Sequence, residues 1–298
     1  MKRIAITGAM GNLGRKLVAH LISHPKVSHV VGLDLRAPTR EELVQLQGSH
    51  DSAKLDFVAC DLLDWNDRRW RDALDNCDAV VHFAAKNPYP EANWDEANAS
   101  LDMTLNVALA AVDAGLERLI FVSSNHVMGR YLEEPLASTV GPGELTTDLD
   151  HAVGTRWLTG DHSMDSTVYA TAKSSGERVC HALAQRAAGR TAFVCIRVGW
   201  CQPGENLPST LSAAGTPTQA TPSSDQPDSN PAEQWFKNMW LSNRDFTQLF
   251  EKSLFADRTR WPQNGLVVNG MSANTGMKWS LQEGREFLDY RPVDDVSA

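Results

Sequence analysis

The chain has 298 residues, of which 28 are Lys or Arg and 37 are Asp or Glu, and its formal net charge at pH 7 is −9. This length suits one large α/β domain with a smaller lobe. The negative charge argues against a nucleic-acid partner. No apolar run reaches membrane-spanning length, and the first predicted strand begins at residue 2, which leaves no room for a signal peptide.

Metal binding and disulfide bonding are not expected. The cysteines are odd in number and lack metal-type spacing, which is typical of reduced thiols in a cytoplasmic protein. His20 and His24 have the spacing of a ligand pair on a helix, but they lie at a surface-like helix end. The sequence leaves the oligomeric state open, a homo-oligomer included.

A strand, a glycine-rich turn and a helix open the chain. Residues 2–7 form a β-branched apolar run that predicts a buried strand, and residues 13–21 carry an apolar helix face. The turn between them, GAMGNLG, has G-x-x-G-x-x-G spacing and would let the backbone approach a pyrophosphate at the helix N-terminus. The residues expected to bind a dinucleotide here are Gly8, Gly11, Asn12, Leu13 and Gly14.

The second predicted strand, Val27–Leu33, ends at Asp34, twenty residues after Gly14. A carboxylate at this place can accept hydrogen bonds from both hydroxyls of the adenosine ribose and would repel a 2′-phosphate. We therefore predict NAD as the cofactor. Arg36 lies nearby and could favour that phosphate, so NADP is the alternative.

Strands and helices then alternate along the chain, which predicts a doubly wound parallel sheet. The further predicted elements are a strand at Leu55–Ala59, a helix at Trp65–Asp75, a strand at Ala79–Phe83, a helix at Asn93–Ala114, a strand at Leu119–Val122, a helix at Tyr169–Ala188 and a strand at Ala192–Val198. Ligands of such sheets bind at the carboxyl ends of the strands. The residues at these ends are Gly8, Asp34, Asp61, Ala84, Ser124 and Val198.

Tyr169 and Lys173 stand one helical turn apart, so both side chains leave the same face of the helix. An ammonium group close to a phenol favours the phenolate. Lowering the phenol pKa by roughly three units corresponds to about 4 kcal/mol. The pair is thus a candidate general acid/base for moving a proton on or off a sugar or alcohol hydroxyl.

Taken together, these motifs resemble the extended short-chain dehydrogenase/reductase family. The matching segments lie within roughly the first 200 residues and are Thr7-Gly8-x-x-Gly11-x-x-Gly14, Asp61-Leu62, His82-Phe83-Ala84-Ala85, Phe121-Val122-Ser123-Ser124 and Tyr169-x-x-x-Lys173. Within the family the chain is most similar to sugar 1-dehydrogenases of the uronate dehydrogenase type. The segments that carry this closer likeness are Ser123–Gly129, Trp240–Asp245 and Asn269–Asn274.

The resemblance implies a Rossmann fold and NAD-dependent oxidation of the anomeric hydroxyl of an aldose or acidic sugar to a lactone. It implies that Tyr169 is the base and that Ser124 hydrogen-bonds the reacting oxygen. Lys173 would bind the nicotinamide ribose and lower the pKa of Tyr169. The cofactor set that it implies adds Asp61, Leu62, Ala84, Lys173 and Val198 to the residues named above. The substrate set is Lys86, Asn87, Ser124, Asn125, His126 and Trp200.

Two segments depart from the usual family pattern. Residues 141–164 are rich in Gly, Thr, Asp and Pro and predict a loop. Residues 204–231 are rich in Pro and Ser and predict a disordered surface insertion, with a substrate lid as the alternative. We expect residues 1–200 to form the dinucleotide-binding domain and residues 201–298 to form a small substrate-binding lobe that includes this insertion.

The residue expected to bind the sugar's carboxylate also differs from that of uronate dehydrogenases. Their carboxylate-binding arginine corresponds, without gaps, to Trp235, so uronate is expected to be a poor substrate. The cations left to hold an acidic group, such as a sulfonate on C6, are Lys86, Arg156, Lys237 and Arg244.

Aromatic side chains dominate the segment around that position. Trp235, Phe236, Met239 and Trp240 predict helix packing, with sugar stacking as the alternative. Ser242 predicts the N-cap of a following helix, whose buried face would be Phe246, Leu249, Phe250 and Leu254.

Two other functions remain open. A nucleotide-sugar epimerase or dehydratase would use the same three catalytic side chains and keep its NAD bound, but such enzymes usually have a longer C-terminal lobe. A non-enzymatic dinucleotide sensor is disfavoured because Ser124, Tyr169 and Lys173 are all present.

Overall fold

The computed structural model describes residues 1–48, 54–87, 91–159, 162–211 and 231–298. The strands are β1 Lys2–Thr7, β2 Val27–Asp34, β3 Leu55–Ala59, β4 Ala79–His82, β5 Arg118–Ser124, β6 Arg156–Thr159, β7 His162–Asp165, β8 Ala192–Val198 and β9 Gly265–Gly270. The α-helices are α1 Asn12–Leu21, α2 Arg40–Gln47, α3 Arg68–Leu74, α4 Trp94–Asp113, α5 Thr167–Arg186, α6 Pro231–Asn238, α7 Asn243–Phe255 and α8 Gln282–Phe287.

Seven strands form one parallel sheet in the order β3-β2-β1-β4-β5-β8-β9. The doubly wound sheet predicted from the sequence is therefore confirmed. Because the chain builds outward from β1 in one direction and from β4 in the other, the strand order reverses between these two strands. Their carboxyl ends are the place where such a sheet leaves room for a ligand.

The two faces of the sheet are covered by separate hydrophobic layers. Ile4 and Ile6 of β1 pack into one layer, whereas Ala5 between them packs into the other. The alternation follows from the period of two along a strand. Both faces are thus buried, as the near-continuous apolar strands require.

One predicted helix start and one unpredicted strand distinguish the structure from the sequence prediction. The helix expected from Trp65 begins at Arg68, because the Asp67 side chain accepts a hydrogen bond from the Arg69 backbone and caps it there. The strand β9 was not predicted. It has glycine at both ends and only four residues between them, so its signal is short.

The loop predicted over residues 141–164 is wrong for its last part. β6 and β7 pair there as an antiparallel hairpin, with Trp157 opposite Met164. Each strand has only four residues, which is too few to show a clear alternation in the sequence. Residues 160–161 of this segment lie outside the described residues.

The C-terminal segment packs as the sequence indicated. The Ser242 hydroxyl accepts a hydrogen bond from the Asp245 backbone at 3.0 Å and caps α7. The aromatic stripe from Trp235 to Trp240 is buried, which confirms packing as its role. Of the predicted insertion at 204–231, residues 212–230 lie outside the described ranges. The division of the chain at residue 200 stays a prediction, and β9 from beyond that point joins the main sheet.

Neither a membrane helix nor a metal cluster is found in the part of the chain that the structure describes. There, no helix combines the length and the apolar character needed to cross a bilayer, and no group of three or more His, Cys, Asp and Glu side chains could hold a metal ion. The five cysteines, all of them in described segments, form no disulfide.

Candidate active site

A cleft of about 640 Å³ lies at the carboxyl ends of the strands, beside β1 and β4. It is lined by every residue that we expected to bind the dinucleotide, namely Gly8, Gly11, Asn12, Leu13, Gly14, Asp34, Asp61, Leu62, Ala84, Lys173 and Val198. Of the expected substrate residues, Lys86, Ser124, Asn125, His126 and Trp200 also line it. The convergence of strand ends therefore gathers most of the predicted site.

The glycine turn leaves no room for side chains on its inner side. Gly8 has a positive φ of 64°, and a Cβ at Gly14 would lie 2.1 Å from the Gly8 carbonyl oxygen. No side chain caps the first turn of α1, whose N-cap is Gly11. The N–H groups at this helix start are consequently available to an anion, so the residues present fit the pyrophosphate of a dinucleotide.

Asp34 is held in place at the end of β2. Its Oδ2 accepts a hydrogen bond from the Met10 backbone at 2.8 Å, and its Oδ1 accepts one from the Leu35 backbone at 2.8 Å. Each carboxylate oxygen keeps a second lone pair for a ribose hydroxyl. This geometry fits NAD.

Arg36, the residue that could favour NADP, is engaged elsewhere. Its guanidinium donates two hydrogen bonds of 2.7 Å to the Glu42 carboxylate, which Arg15 also contacts. Binding a 2′-phosphate through Arg36 would compete with this ion pair.

The loop after β8 contributes residues that sequence reasoning missed. Cys201, Gln202 and Pro203 line the cleft, and Asn12 Nδ2 donates to the Cys201 carbonyl oxygen at 2.9 Å. The bond ties the start of α1 to this loop. The only sign in the sequence that these three residues line the cleft is their position directly after the end of a strand.

Ser124, Tyr169 and Lys173 meet where β5 and α5 approach each other. The hydroxyl of Ser124 lies close enough to the Tyr169 phenol to lower its pKa. Lys173 Nζ donates to the Val122 carbonyl oxygen at 2.8 Å and lies 5.8 Å from the centroid of the Tyr169 ring. The structure thus brings a phenol, a hydroxyl and an ammonium together at one wall of the cleft.

The expected lowering of the Tyr169 pKa is not found in the protein alone. Burial raises the pKa of this phenol to about 12, although the Ser124 hydrogen bond acts in the opposite direction. Burial also lowers the pKa of Lys173 to about 8. Our sequence argument counted the ammonium and left out desolvation, which is the larger effect here.

His126 is fixed by hydroxyl groups behind the cleft. Its Nδ1 lies 2.7 Å from Thr155 Oγ1 and 3.1 Å from Ser166 Oγ, and its ring stacks on Trp157 at 5.9 Å. Burial lowers the pKa of His126 to about 4, so the ring is neutral at pH 7. The neighbouring Asn125 donates its amide to the Val198 carbonyl oxygen, and its own side-chain oxygen has no partner within the described residues.

Two predicted positions lie away from the cleft. Asn87 does not line it, and its side-chain nitrogen donates instead to Glu96 at 3.0 Å near the start of α4. Trp235 is buried, and its ring packs on Trp279 with 4.3 Å between centroids. The residue types around Asn87 do not show that its side chain turns toward Glu96. Packing was expected for Trp235, but its partner Trp279 was not, because the two residues lie far apart in sequence.

His82 has a structural role beside the cleft. Its two ring nitrogens lie 2.7 Å from the Thr7 hydroxyl and 3.3 Å from the Thr104 hydroxyl. Burial, and to a smaller extent the charge of Lys173, lower the pKa of His82 to about 3. The ring therefore stays neutral and links β4 to its neighbours.

Comparisons with known proteins agree with this geometry. Residues 4–199 match the model of the NAD dependent epimerase/dehydratase family. An L-arabinose 1-dehydrogenase (NAD(P)(+)) of Haloferax volcanii is 31% identical over 296 residues, which cover 99% of this chain and 98% of that protein. An NAD-dependent glucose-6-phosphate dehydrogenase of the same organism is 28% identical, covering 98% of this chain and 93% of that protein.

A solved structure of a mutated uronate dehydrogenase superposes with a TM-score of 0.66 at 23% identity, covering 100% of this chain and 84% of that one. Together with the family match over two-thirds of the chain, this likeness accounts for the seven-stranded sheet and its cleft. The chain belongs to the NAD-dependent epimerase/dehydratase family.

Proposed function

We propose that the protein oxidises a free aldose at its anomeric hydroxyl, with NAD as the co-substrate, and releases the lactone. The observation that carries this proposal is the meeting of Ser124, Tyr169 and Lys173 at one wall of a cleft whose other end fits a dinucleotide. Two relatives that cover nearly the whole chain have names that describe oxidation of a sugar, which supports the same reaction class.

Bound NAD⁺ supplies the acceptor for the hydride that leaves C1 of the sugar. Tyr169 takes the proton of the anomeric hydroxyl as the C1–O bond becomes a carbonyl. Ser124, whose hydroxyl lies near the phenol, donates to the reacting oxygen. Lys173 is anchored through Val122, which keeps its positive charge beside the Tyr169 ring.

The charge of the substrate follows from where the cations lie. All 28 Lys and Arg residues belong to segments that the structure describes. Among those segments, the cations that line the cleft are Arg36, Lys86 and Lys173. Arg36 is paired with Glu42, and Lys173 is part of the catalytic group. Lys86 is the remaining one, and it is exposed to solvent.

The other candidate cations do not line the cleft. Arg156 donates to Glu133, with its Nε 3.0 Å from the carboxylate, and Arg244 pairs with Asp294. A buried sugar carboxylate without a paired cation costs several kcal/mol. We therefore propose a neutral aldose as the preferred substrate, with uronate poor. An acidic sugar, such as one with a C6 sulfonate, would have to be held by Lys86.

A panel of free sugars tests the proposal. NADH formation at 340 nm is measured with L-arabinose, glucose, galactose, glucose 6-phosphate, glucuronate, galacturonate and 6-sulfo-6-deoxyglucose at low concentration. Formation of NADH with any of them supports the reaction, and the highest kcat/KM is expected for a neutral sugar. If a uronate gave the highest kcat/KM, the argument from Trp235 and the cleft cations would be wrong.

The location of the reaction is a separate proposal. We propose a cytoplasmic enzyme, because the five cysteines are all unpaired and NAD is a cytoplasmic co-substrate. Fractionation of the native host, followed by immunoblotting, tests this directly.

A further inference from the structure

A buried carboxylate lies one helical turn beyond Lys173. Glu177 is 4% exposed, and its spacing of four residues places it on the same face of α5 as Lys173. Glu177 Oε1 accepts a hydrogen bond from Ser123 Oγ at 2.5 Å, and Oε2 accepts one from Arg197 Nη2 at 2.9 Å. A single carboxylate therefore ties α5 to the ends of β5 and β8.

Each strand partner of Glu177 is the neighbour of a cleft residue. Ser123 precedes the catalytic Ser124, and Arg197 precedes Val198, whose carbonyl oxygen accepts from Asn125. A displacement of the ion pair would therefore move the backbone that carries the site.

His151, in the segment before β6, completes this cluster. Its Nε2 lies 2.7 Å from Arg197 Nη2, and its Nδ1 lies 2.7 Å from the hydroxyl of Ser174, the residue after Lys173. A guanidinium has only N–H donors, so in the 2.7 Å contact Nε2 accepts and Nδ1 carries the hydrogen. The same Nε2 lies 3.3 Å from Glu177 Oε2, a longer contact toward which it would have to donate. Arg197 Nη2 then donates one hydrogen to Glu177 Oε2 and the other to His151 Nε2.

The cluster is charged but neutral overall. Burial would raise the pKa of the Glu177 carboxyl, but its hydrogen bonds and the charge of Arg197 lower that pKa to about 2. The carboxylate and the guanidinium, which is 1% exposed, therefore form an ion pair at neutral pH. A buried pair of this kind is sensitive to the loss of any partner.

We propose that His151 is a positioning residue: it joins the segment before β6 to the Glu177–Arg197 pair and thereby fixes α5, with Tyr169 and Lys173, against the ends of β5 and β8. The kinetic consequence rests on the proposed sugar oxidation, whereas the structural consequence does not.

Two substitutions separate positioning from general stability. His151→Leu removes the acceptor for Arg197 and the donor to Ser174, whereas His151→Gln keeps an oxygen that can accept from Arg197. His151 lies on a loop with a side chain 19% exposed, so both variants should fold. His181→Leu is the matched control, because His181 is an exposed histidine on α5, the helix that His151 contacts through Ser174.

We expect His151→Leu to lower kcat by roughly 10- to 100-fold, since misplacing catalytic groups by about 1 Å has effects of that size. The KM for NAD should change little, His151→Gln should recover most of the lost kcat, and the control should match the wild type. Amide hydrogen exchange across residues 169–177, measured on the full-length protein without cofactor or sugar, should be faster in His151→Leu alone.

Three results would overturn the proposal. They are unchanged kcat in His151→Leu, equal impairment of the Leu and Gln variants, and unchanged exchange in α5. If the wild type oxidised no sugar at all, the proposed function would fail, and the exchange comparison of the Leu and Gln variants would still decide whether His151 positions α5.

Discussion

Replacing Tyr169 by phenylalanine tests the proposed base most sharply. The change keeps the ring, which contacts His126 edge-on with 6.0 Å between centroids, and removes the phenol oxygen that interacts with Ser124. Losing this interaction costs at most about 1.5 kcal/mol of stability, the upper end for a hydrogen bond. General acid/base catalysis contributes typically about 10²- to 10⁴-fold, which corresponds to roughly 3–5 kcal/mol of transition-state free energy. The activity loss should therefore far exceed the stability loss.

The assay is single-turnover and steady-state NADH formation, with calorimetric titration of NAD as the control for binding. We expect kcat to fall at least 100-fold, with the Kd for NAD nearly unchanged.

The pH profile of turnover gives a second readout. Burial raises the pKa of Tyr169 to about 12 and lowers that of Lys173 to about 8 in the protein alone. Wild-type turnover should therefore increase as pH rises toward about 8, where the phenolate fraction grows while the Lys173 ammonium is still charged. The Phe variant should lose this increase. Retention of a tenth or more of the activity would refute Tyr169 as the base.

Three further outcomes are expected. Lys173→Ala should lower kcat and weaken NAD binding together, measured by kinetics and titration, because we propose that this ammonium both supports Tyr169 and holds the nicotinamide ribose; an effect on kcat alone would contradict the double role. Asp34→Ala should narrow the preference of kcat/KM for NAD over NADP, and a wild type that prefers NADP would show that Arg36 leaves Glu42. The Glu177 pKa, lowered to about 2 in the folded state, contributes stability that is present above the unfolded value of about 4.3 and is lost as pH falls through 2. This contribution is roughly 3 kcal/mol, so the free energy of unfolding should drop between pH 5 and pH 2, and Glu177→Gln should flatten that drop.

The fold could be predicted from the sequence wherever local signals agreed. The doubly wound sheet could be predicted from the apolar runs of β1, β2 and β8 and from the capped helix α4. In these elements the strand period, the turn residues and the caps all indicate the same structure. The β6–β7 hairpin was missed because each of its strands has only four residues. β9 was missed because its apolar run is short and it forms by pairing with β8, which lies far before it in the sequence.

Site residues at strand ends could be predicted from the sequence. The prediction failed for residues whose position depends on tertiary contacts or burial. Gly14 and Asp34 follow from a turn and a strand terminus, and both line the cleft. The hydrogen bond of Asn87 to Glu96 turns a predicted substrate residue away from the cleft, and residue types alone do not show this. Packing of Trp235 was predicted, but its partner Trp279 lies far away in sequence and was not. The raised pKa of Tyr169 depends on burial, which spacing alone does not reveal.

The ion pair behind the site shows the same division. The spacing of Lys173 and Glu177 places them on one helix face, and that much could be read from the sequence. The contacts of Glu177 with Arg197 and of Arg197 with His151 depend on the sheet register and on the path of the segment before β6. These do not follow from the sequence.

The most direct test of the central claim is to count products in one reaction. Purified protein is incubated with NAD⁺ and the best neutral aldose, and NADH at 340 nm is compared with lactone plus aldonic acid measured by chromatography. The proposed oxidation predicts one NADH for each acid formed, with protein that is largely free of NAD when purified. Tightly retained NAD, no net NADH and interconversion of nucleotide-sugar epimers would contradict it and establish an epimerase instead.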